Sequence, residues 1–280
     1  MVSLSFITAF AVILAGLITG SFFNVLIWRL PRNESVVFPA SHCPACNRPI
    51  RPWENIPVLS YLLLRGKCAG CKGRISFVYP LIELFTAAAA IALWYWLGFP
   101  QVLLPAANHT EVFHSIDLFI QGFVLLLLIP ITVIDVQHYI IPDELTITFL
   151  VVALAASFLP GDTTPFQSVL GVLAGGGTLL AIGWIGKIVF RKGEAMGGGD
   201  IKLLALAGAL WGPKIALLTI FFGSLYGTLG AVILLGLRRL NNDHRIPFGP
   251  FLSLGIWTAV LRGDYLLNSY LHFVAGLLNK

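Results

Sequence analysis

Two aspartates and four cysteines are the residues of this 280-residue chain whose types and spacing could do chemistry. Asp200 follows Gly197-Gly198-Gly199 and opens the apolar run Ile201-Lys202-Leu203-Leu204, whereas Asp135 closes the run Ile131-Thr132-Val133-Ile134. An ionisable group at such an address is costly to keep unless it has a partner or a task. Two carboxyls brought together share one proton, because like charges about 3 Å apart cannot both ionise. Such a pair can hydrolyse an amide without a metal or a covalent intermediate. The ionised member draws a proton from water, and the protonated member hydrogen-bonds the scissile carbonyl. Gly197 and Gly199 fit that chemistry, since an extended substrate must come close to the backbone. Structural readings of the same residues stay open. Asp is a favoured N-cap, so Asp200 could simply cap its helix and Asp135 simply end one. Asp143, after Pro142, reads as a first-turn acid facing the helix dipole. Lys202 either pairs with an acid or snorkels to the interface. Glu83 either faces a polar cavity or pairs with a loop arginine.

The cysteines form two C-x-x-C knuckles, Cys43-Pro44-Ala45-Cys46 and Cys68-Ala69-Gly70-Cys71, separated by 21 residues. Four thiolates in two close pairs suit a tetrahedral zinc, and four sulfurs leave no open position for catalysis. The expected role of the metal is therefore structural, closing a segment too small to build its own core. Disulfides are the competing reading. The basic content of the segment argues for the reducing cytosol, where disulfides are rare.

The elements that must position these groups are membrane helices. The chain is 57% apolar and 11% charged, against about 25% charged for a soluble domain. Apolar runs of about 20 residues recur along its length. The spacing predicts spans near residues 5–28, 79–97, 116–134, 145–159, 166–190, 200–212, 215–237 and 251–261. A tail over 264–280 reads as an interfacial or further buried helix. The fold expected is thus all-α and polytopic, with about eight transmembrane helices and a small cytoplasmic zinc-binding loop between the first two. The division expected is transmembrane helix 1 over residues 1–28, the zinc-binding loop domain over 29–78, and a transmembrane catalytic core over 79–280. The first run lacks a basic n-region and a small-residue cleavage site, so it reads as a retained span. Eight of the eighteen basic residues lie between Arg29 and Arg74, which puts that loop inside and the N-terminus outside. The net charge of +5 is accounted for by this bias and implies no nucleic-acid partner. About 14 residues separate Asp200 from Lys214, or about 21 Å of helix, against a hydrocarbon core of about 30 Å. Asp135 lies about 27 Å along its helix from Asp117 by the same rise. Both acids should then sit in the inner third of the bilayer, on separate helices.

An ordered set of motifs accompanies these groups. It comprises Gly20-Ser21-Phe22-Phe23-Asn24-Val25 with Arg29-Leu30-Pro31, Ser41-His42-Cys43-Pro44 with Cys46, Trp53-Glu54-Asn55-Ile56-Pro57, Arg65-Gly66, and Cys68 with Cys71. It continues through Ile75-Ser76, Tyr79-Pro80-Leu81-Ile82-Glu83, Asp135 with Pro142-Asp143, Gly197 to Leu204, and Pro247-Phe248-Gly249-Pro250. Over nearly the whole chain this set resembles the type IV prepilin peptidases, bifunctional leader peptidase/N-methyltransferases of type IV pilus and type II secretion systems. Its Gly197–Asp200 segment is similar to the G-x-G-D motif of that family, shared with presenilin-type intramembrane proteases. The resemblance implies cleavage of prepilin and pseudopilin leaders at the cytoplasmic membrane face, with Asp135 and Asp200 as the catalytic pair. It also implies N-methylation of the new N-terminal residue with S-adenosylmethionine, in a bacterial inner membrane whose lipid is the other partner. The residues themselves carry no recognisable methyl-donor signature. Glu54 and Glu83 are alternatives for holding the basic leader. A proton-coupled transporter would use buried acids differently, near the midplane and within inverted repeats, neither of which is found. A purely structural scaffold leaves the GGGD stretch without a purpose.

Overall fold

The computed structural model describes residues 2–97, 109–190, 196–236 and 246–278. Residues 98–108, 191–195 and 237–245, which include the last residue of the span predicted over 215–237, lie outside the described residues. Two compact units divide the chain at Ile134 and Asp135. The described residues are mostly helical outside the loop over 33–77, which carries two isolated bridges, His42 to Pro49 and Lys67 to Arg74, and there is no strand among them.

In the first unit, α1 (Val2–Arg29) and α3 (Val78–Trp96) pack lengthwise. Gly16 and Gly20 form a small-xxx-small pair on α1, the arrangement that lets membrane helices approach closely. A Cβ on Gly20 would stand 2.7 Å from the Cα of Glu83, and one on Gly16 2.7 Å from the Cα of Ala87. Between these helices the loop is shaped by 3₁₀ turns at Leu30–Arg32 and Pro52–Asn55 and the short α2 (Leu59–Leu63). The long α4 (His109–His138) contains Pro130 and hands over to the second unit at its last turn.

The second unit contains α5 (Asp143–Ala156), α6 (Pro165–Val172), α7 (Thr178–Phe190), α8 (Gly198–Gly236) and α9 (Gly249–Leu278). Pro142 precedes α5, and Asp143 and Glu144 occupy its first turn, as the proline-acid signature predicts. One π-helical turn, Leu173–Gly177, joins α6 to α7. α6 and α8 meet backbone to backbone. A Cβ on Gly171 would lie 1.9 Å from the Gly208 carbonyl oxygen, and one on Gly208 2.0 Å from the Gly171 carbonyl oxygen. No side chain fits there, so this contact fixes where α8 runs past α6.

Among the described residues, five helices are long and apolar enough to cross a membrane: Phe6–Arg32, Val78–Trp96, Val112–His138, Pro165–Val189 and Gly198–Gly236. The expected count of about eight is not reached on those grounds. The run predicted as span four is only the 14 residues of α5, about 21 Å at the helical rise. Predicted spans six and seven both fall within α8, which is two helices meeting across a kink at Gly212 (φ 79°, ψ 178°), where the break between them was expected, the second beginning at Pro213. That positive φ suits glycine, and proline tolerates the restart because it needs no N–H partner there. Predicted span eight and the tail are one continuous helix, α9. The Arg262-Gly263-Asp264 stretch does not end it, since a single helical glycine costs only about 1 kcal/mol. Asp264 is held in an ion pair with Lys214 of α8.

Candidate functional site

The second unit brings the two predicted acids into one place. Asp135 sits on the last turn of α4 and is 6% exposed. Asp200 is in the first turn of α8 rather than at its N-cap. Each lies within electrostatic range of the other. The dipole at the start of α8 favours negative charge near Asp200. Two carboxyls on elements far apart in the chain thus lie close enough for each to feel the other's charge.

Neighbouring backbone fits tightly around the pair. The Gly249 N–H donates to Asp135 Oδ2 at 2.8 Å across 114 positions of sequence. A Cβ on Gly249 would stand 2.7 Å from that oxygen and 3.1 Å from the Asp135 Cβ. The motif Pro247-Phe248-Gly249-Pro250 was visible in sequence, but nothing local to it announced a hydrogen bond to Asp135. Gly199 is packed against the turn between α4 and α5, where a Cβ would lie 2.7 Å from the Ile141 Cβ. Gly197 lies against the Asp200 carboxylate, at 2.9 Å from Oδ2 for an added Cβ, whereas Gly198 faces open space. Sequence alone did not distinguish the three.

Lys202 settles its two alternatives by pairing with Asp143, its Nζ donating at 2.7 and 2.6 Å to the two carboxylate oxygens. This pair ties α8 to α5 beside the Asp200 turn and is partly exposed on both sides. Glu83 is buried, and among the described residues no arginine pairs with it; its carboxylate accepts the Val58 N–H at 2.7 Å and a bond from Ser21. Val58 is held at φ 61°, ψ −49°, uncommon for a β-branched residue, directly at that bond. Glu54 likewise has a partner of its own in Arg48. The Arg48 guanidinium, followed by the Arg51 backbone N–H, holds the Glu54 carboxyl below its ordinary range.

Gly249→Ala is expected to lower any activity that depends on Asp135 by at least about tenfold, the scale of a small misplacement at a reacting group. The added methyl cannot be accommodated without moving the carboxylate. Cleavage at the wild-type rate by a folded Gly249→Ala protein would show that this contact is only structural.

In the first unit the four cysteines form a cluster. Their sulfurs all lie within 4.8 Å of one another, with Cys43 and Cys71 sulfurs 3.9 Å apart, and all four are free thiols. A tetrahedral zinc with bonds of about 2.3 Å needs sulfurs about 3.8 Å apart, so the donor set fits. The two knuckles repeat one local design. The Cys43 N–H donates to the Arg48 carbonyl and the Cys68 N–H to the Gly73 carbonyl, at 2.9 and 2.8 Å. The Asn47 and Lys72 N–H groups return to the Cys43 and Cys68 carbonyls. Asn47 and Lys72 both take positive φ, 52° and 59°. Backbone N–H groups of Cys71 and Gly70 aimed at Cys68 lower its thiol to about 6, which favours the thiolate a metal requires. Arg48 lies along Gly70 of the second knuckle, where a Cβ would meet its Cδ at 3.1 Å, and so links both knuckles to Glu54.

Comparison with known proteins identifies the family. Residues 14–97 match the bacterial Peptidase A24 N-terminal domain, and residues 122–232 match the type IV leader peptidase family. A prepilin leader peptidase/N-methyltransferase of Pseudomonas aeruginosa is 37% identical, covering 93% of this chain and 92% of its own length. Proteins of the same name from Aeromonas hydrophila and Bacillus subtilis are each 36% identical. The alignments cover 93% of this chain in both cases, and 92% and 97% of those proteins. No solved structure matches the chain. With this identity maintained over nearly the full length of its relatives, the chain belongs to the type IV leader peptidase family.

Proposed function

We propose that this protein removes the leader peptide from type IV prepilins and pseudopilins and then methylates the new N-terminal residue. The observation that carries the cleavage reading is the meeting of Asp135 and Asp200, with the Gly249 N–H orienting the first. In the cleavage step, water adds to the scissile carbonyl carbon. One carboxylate takes the water's proton while the other carboxyl donates its proton to the carbonyl oxygen. Collapse of the tetrahedral adduct breaks the C–N bond, and the departing amine takes up a proton from the pair. Asp135, already accepting a backbone N–H, is held in a fixed orientation, and Asp200 is carried by the start of α8. Gly197 and Gly199 let the backbone lie close to the Asp200 carboxylate and to Ile141, and Gly198 faces the open space from which an extended substrate can approach.

The charge bias of the loops supports an inner-membrane orientation with the N-terminus outside and both acids toward the cytoplasm. A leader that stays in the cytosol while the following segment is a membrane helix presents its scissile bond at that face. S-adenosylmethionine, when bound, supplies an electrophilic methyl group to the new amine. In this division residues 29–78 form a zinc-closed cytoplasmic domain and residues 79–280 carry the proteolytic machinery. Cys43, Cys46, Cys68 and Cys71 would hold the metal, whose contribution is to tie the two knuckles together.

The test uses full-length protein in nanodiscs, a prepilin, and a mass spectrum taken with and without S-adenosylmethionine. The expected products are a shortened pilin in both cases and one added methyl only with the donor. An intact prepilin would sink the cleavage reading, and a shortened but never methylated pilin the second activity.

A further inference from the structure

The first unit contains a cavity of about 350 Å³ between the inner half of α1 and the loop segments that follow it. That is within the range of about 300–1,000 Å³ usual for small-molecule sites. Its walls are of two kinds. Phe22, Val25, Val37 and Pro39 give an apolar surface, while Arg29 and Asn55 supply polar groups.

Arg29 is the residue that makes this more than a crevice. It is 6% exposed, although it carries a full charge. Its recorded partners are backbone carbonyls, those of Ser35 at 2.8 Å and Pro39 at 2.6 Å, and not a carboxylate. These two bonds hold the loop over 35–39 against α1. A guanidinium has five N–H donors in a planar fork. Two donations leave donors for another acceptor, and among the described residues no carboxylate forms an ion pair with it. A buried cation of this kind is costly unless it meets an anion. The site is thus suited to a small molecule with a carboxylate at one end and a flat or apolar body.

We infer that this cavity binds S-adenosylmethionine, with the donor's carboxylate on Arg29 and its body against Phe22, Val37 and Pro39. The inference rests on the proposed methyl transfer and adds where in the chain the donor sits. Methionine-type carboxylates match the guanidinium fork bidentately. The cavity opens among loop residues that the charge bias assigns to the cytosol, from which a charged soluble donor must come.

The test is binding of radiolabelled S-adenosylmethionine to full-length protein in phosphatidylcholine nanodiscs, followed by ultraviolet cross-linking and peptide mapping. Label is expected within residues 18–57. Arg29→Gln should weaken binding by about tenfold or more, the loss of a charge-assisted contact. Because Arg29 also holds the loop, a second variant is needed. Ala40→Trp fills the exposed lip of the cavity without removing a hydrogen bond, and it should block donor binding while prepilin cleavage continues. If wild-type protein binds donor and methylates pilin, yet both variants bind it as tightly, the cavity assignment is overturned and the methyl transfer stands. Arg29-dependent retention of phosphatidylglycerol, with donor binding unchanged in both variants, would assign the cavity to an anionic lipid and overturn it equally. If wild-type protein neither binds donor nor methylates, the functional reading itself fails.

Discussion

Asp135→Asn and Asp200→Asn are each expected to lower prepilin cleavage by about three to four orders of magnitude, while the protein inserts and folds normally. Asparagine keeps the shape of aspartate but can neither take up nor give the proton that the reaction moves. A positioned acid or base is worth about 10²–10⁴ in rate, and each member of the pair serves in both proton transfers. In the Asp135→Asn protein the Gly249 N–H can still donate to the side-chain amide oxygen, so loss of the bond recorded at 2.8 Å is not the cause of the effect. Residues that act as one unit are non-additive. The double variant should therefore be no slower than the poorer single one. Cleavage by either single variant within tenfold of wild type would remove the pair from the mechanism. Asp143→Asn is the internal comparison. It breaks only the partly exposed pair with Lys202, of a class worth about 0.2–1 kcal/mol, and its effect on cleavage should be mild. Complete loss of cleavage in a folded Asp143→Asn protein would exchange Asp143 for Asp135 in the pair.

The second large effect concerns the cysteines. Purified protein should contain one zinc per chain, and replacing Cys43 and Cys46 by serine should remove it. Structural zinc sites of this kind contribute about 10–16 kcal/mol of apparent binding energy in isolated peptides at neutral pH. Each knuckle on its own is closed by a few backbone hydrogen bonds and one positive-φ residue, Asn47 or Lys72. Without the metal nothing equally strong joins them. The loop over 29–78 should become sensitive to limited proteolysis at once, whereas the aspartate pair, held by α4, α8 and Gly249, should keep its arrangement. Elemental analysis without metal, or Cys43 to Cys71 recovered as disulfides, would remove the site. Equal protease resistance of the serine variant and the wild type would show that the metal is not structural. On the division of labour proposed above, a double Asp135→Asn/Asp200→Asn protein should still methylate pre-cleaved pilin, and the cysteine variant should do so poorly.

Much of this molecule was legible from sequence because the relevant forces are local. Apolar runs at the length of a bilayer crossing must satisfy their own backbone, and helices do so within the segment. The long helices consequently appear where the runs are, and α5 begins at Pro142-Asp143 as its composition requires. The cysteine spacing fixes two knuckles for a similar reason, since each closes through bonds between residues at most nine apart. Sequence could also mark Asp135 and Asp200 as expensive residues.

Which groups touch was decided by packing alone. Lys202 had an acid partner or the interface as alternatives, and the approach of α5 to α8 gave it Asp143. Glu83 had arginines nearby in sequence, but the close fit of α3 on Gly20 buried it against Val58 instead. The break predicted at Gly212-Pro213 is a kink between two helices, set by the local glycine and proline, whereas Arg262-Gly263-Asp264 does not interrupt α9, whose Asp264 is held by Lys214. Hydropathy and residue type thus determined that the chain would make membrane-length helices, a four-sulfur cluster and two isolated acids. Only the tertiary structure brought Gly249 to Asp135 across 114 residues. That approach depends on a missing side chain at one end and a carboxylate at the other, and no local pattern encodes their meeting.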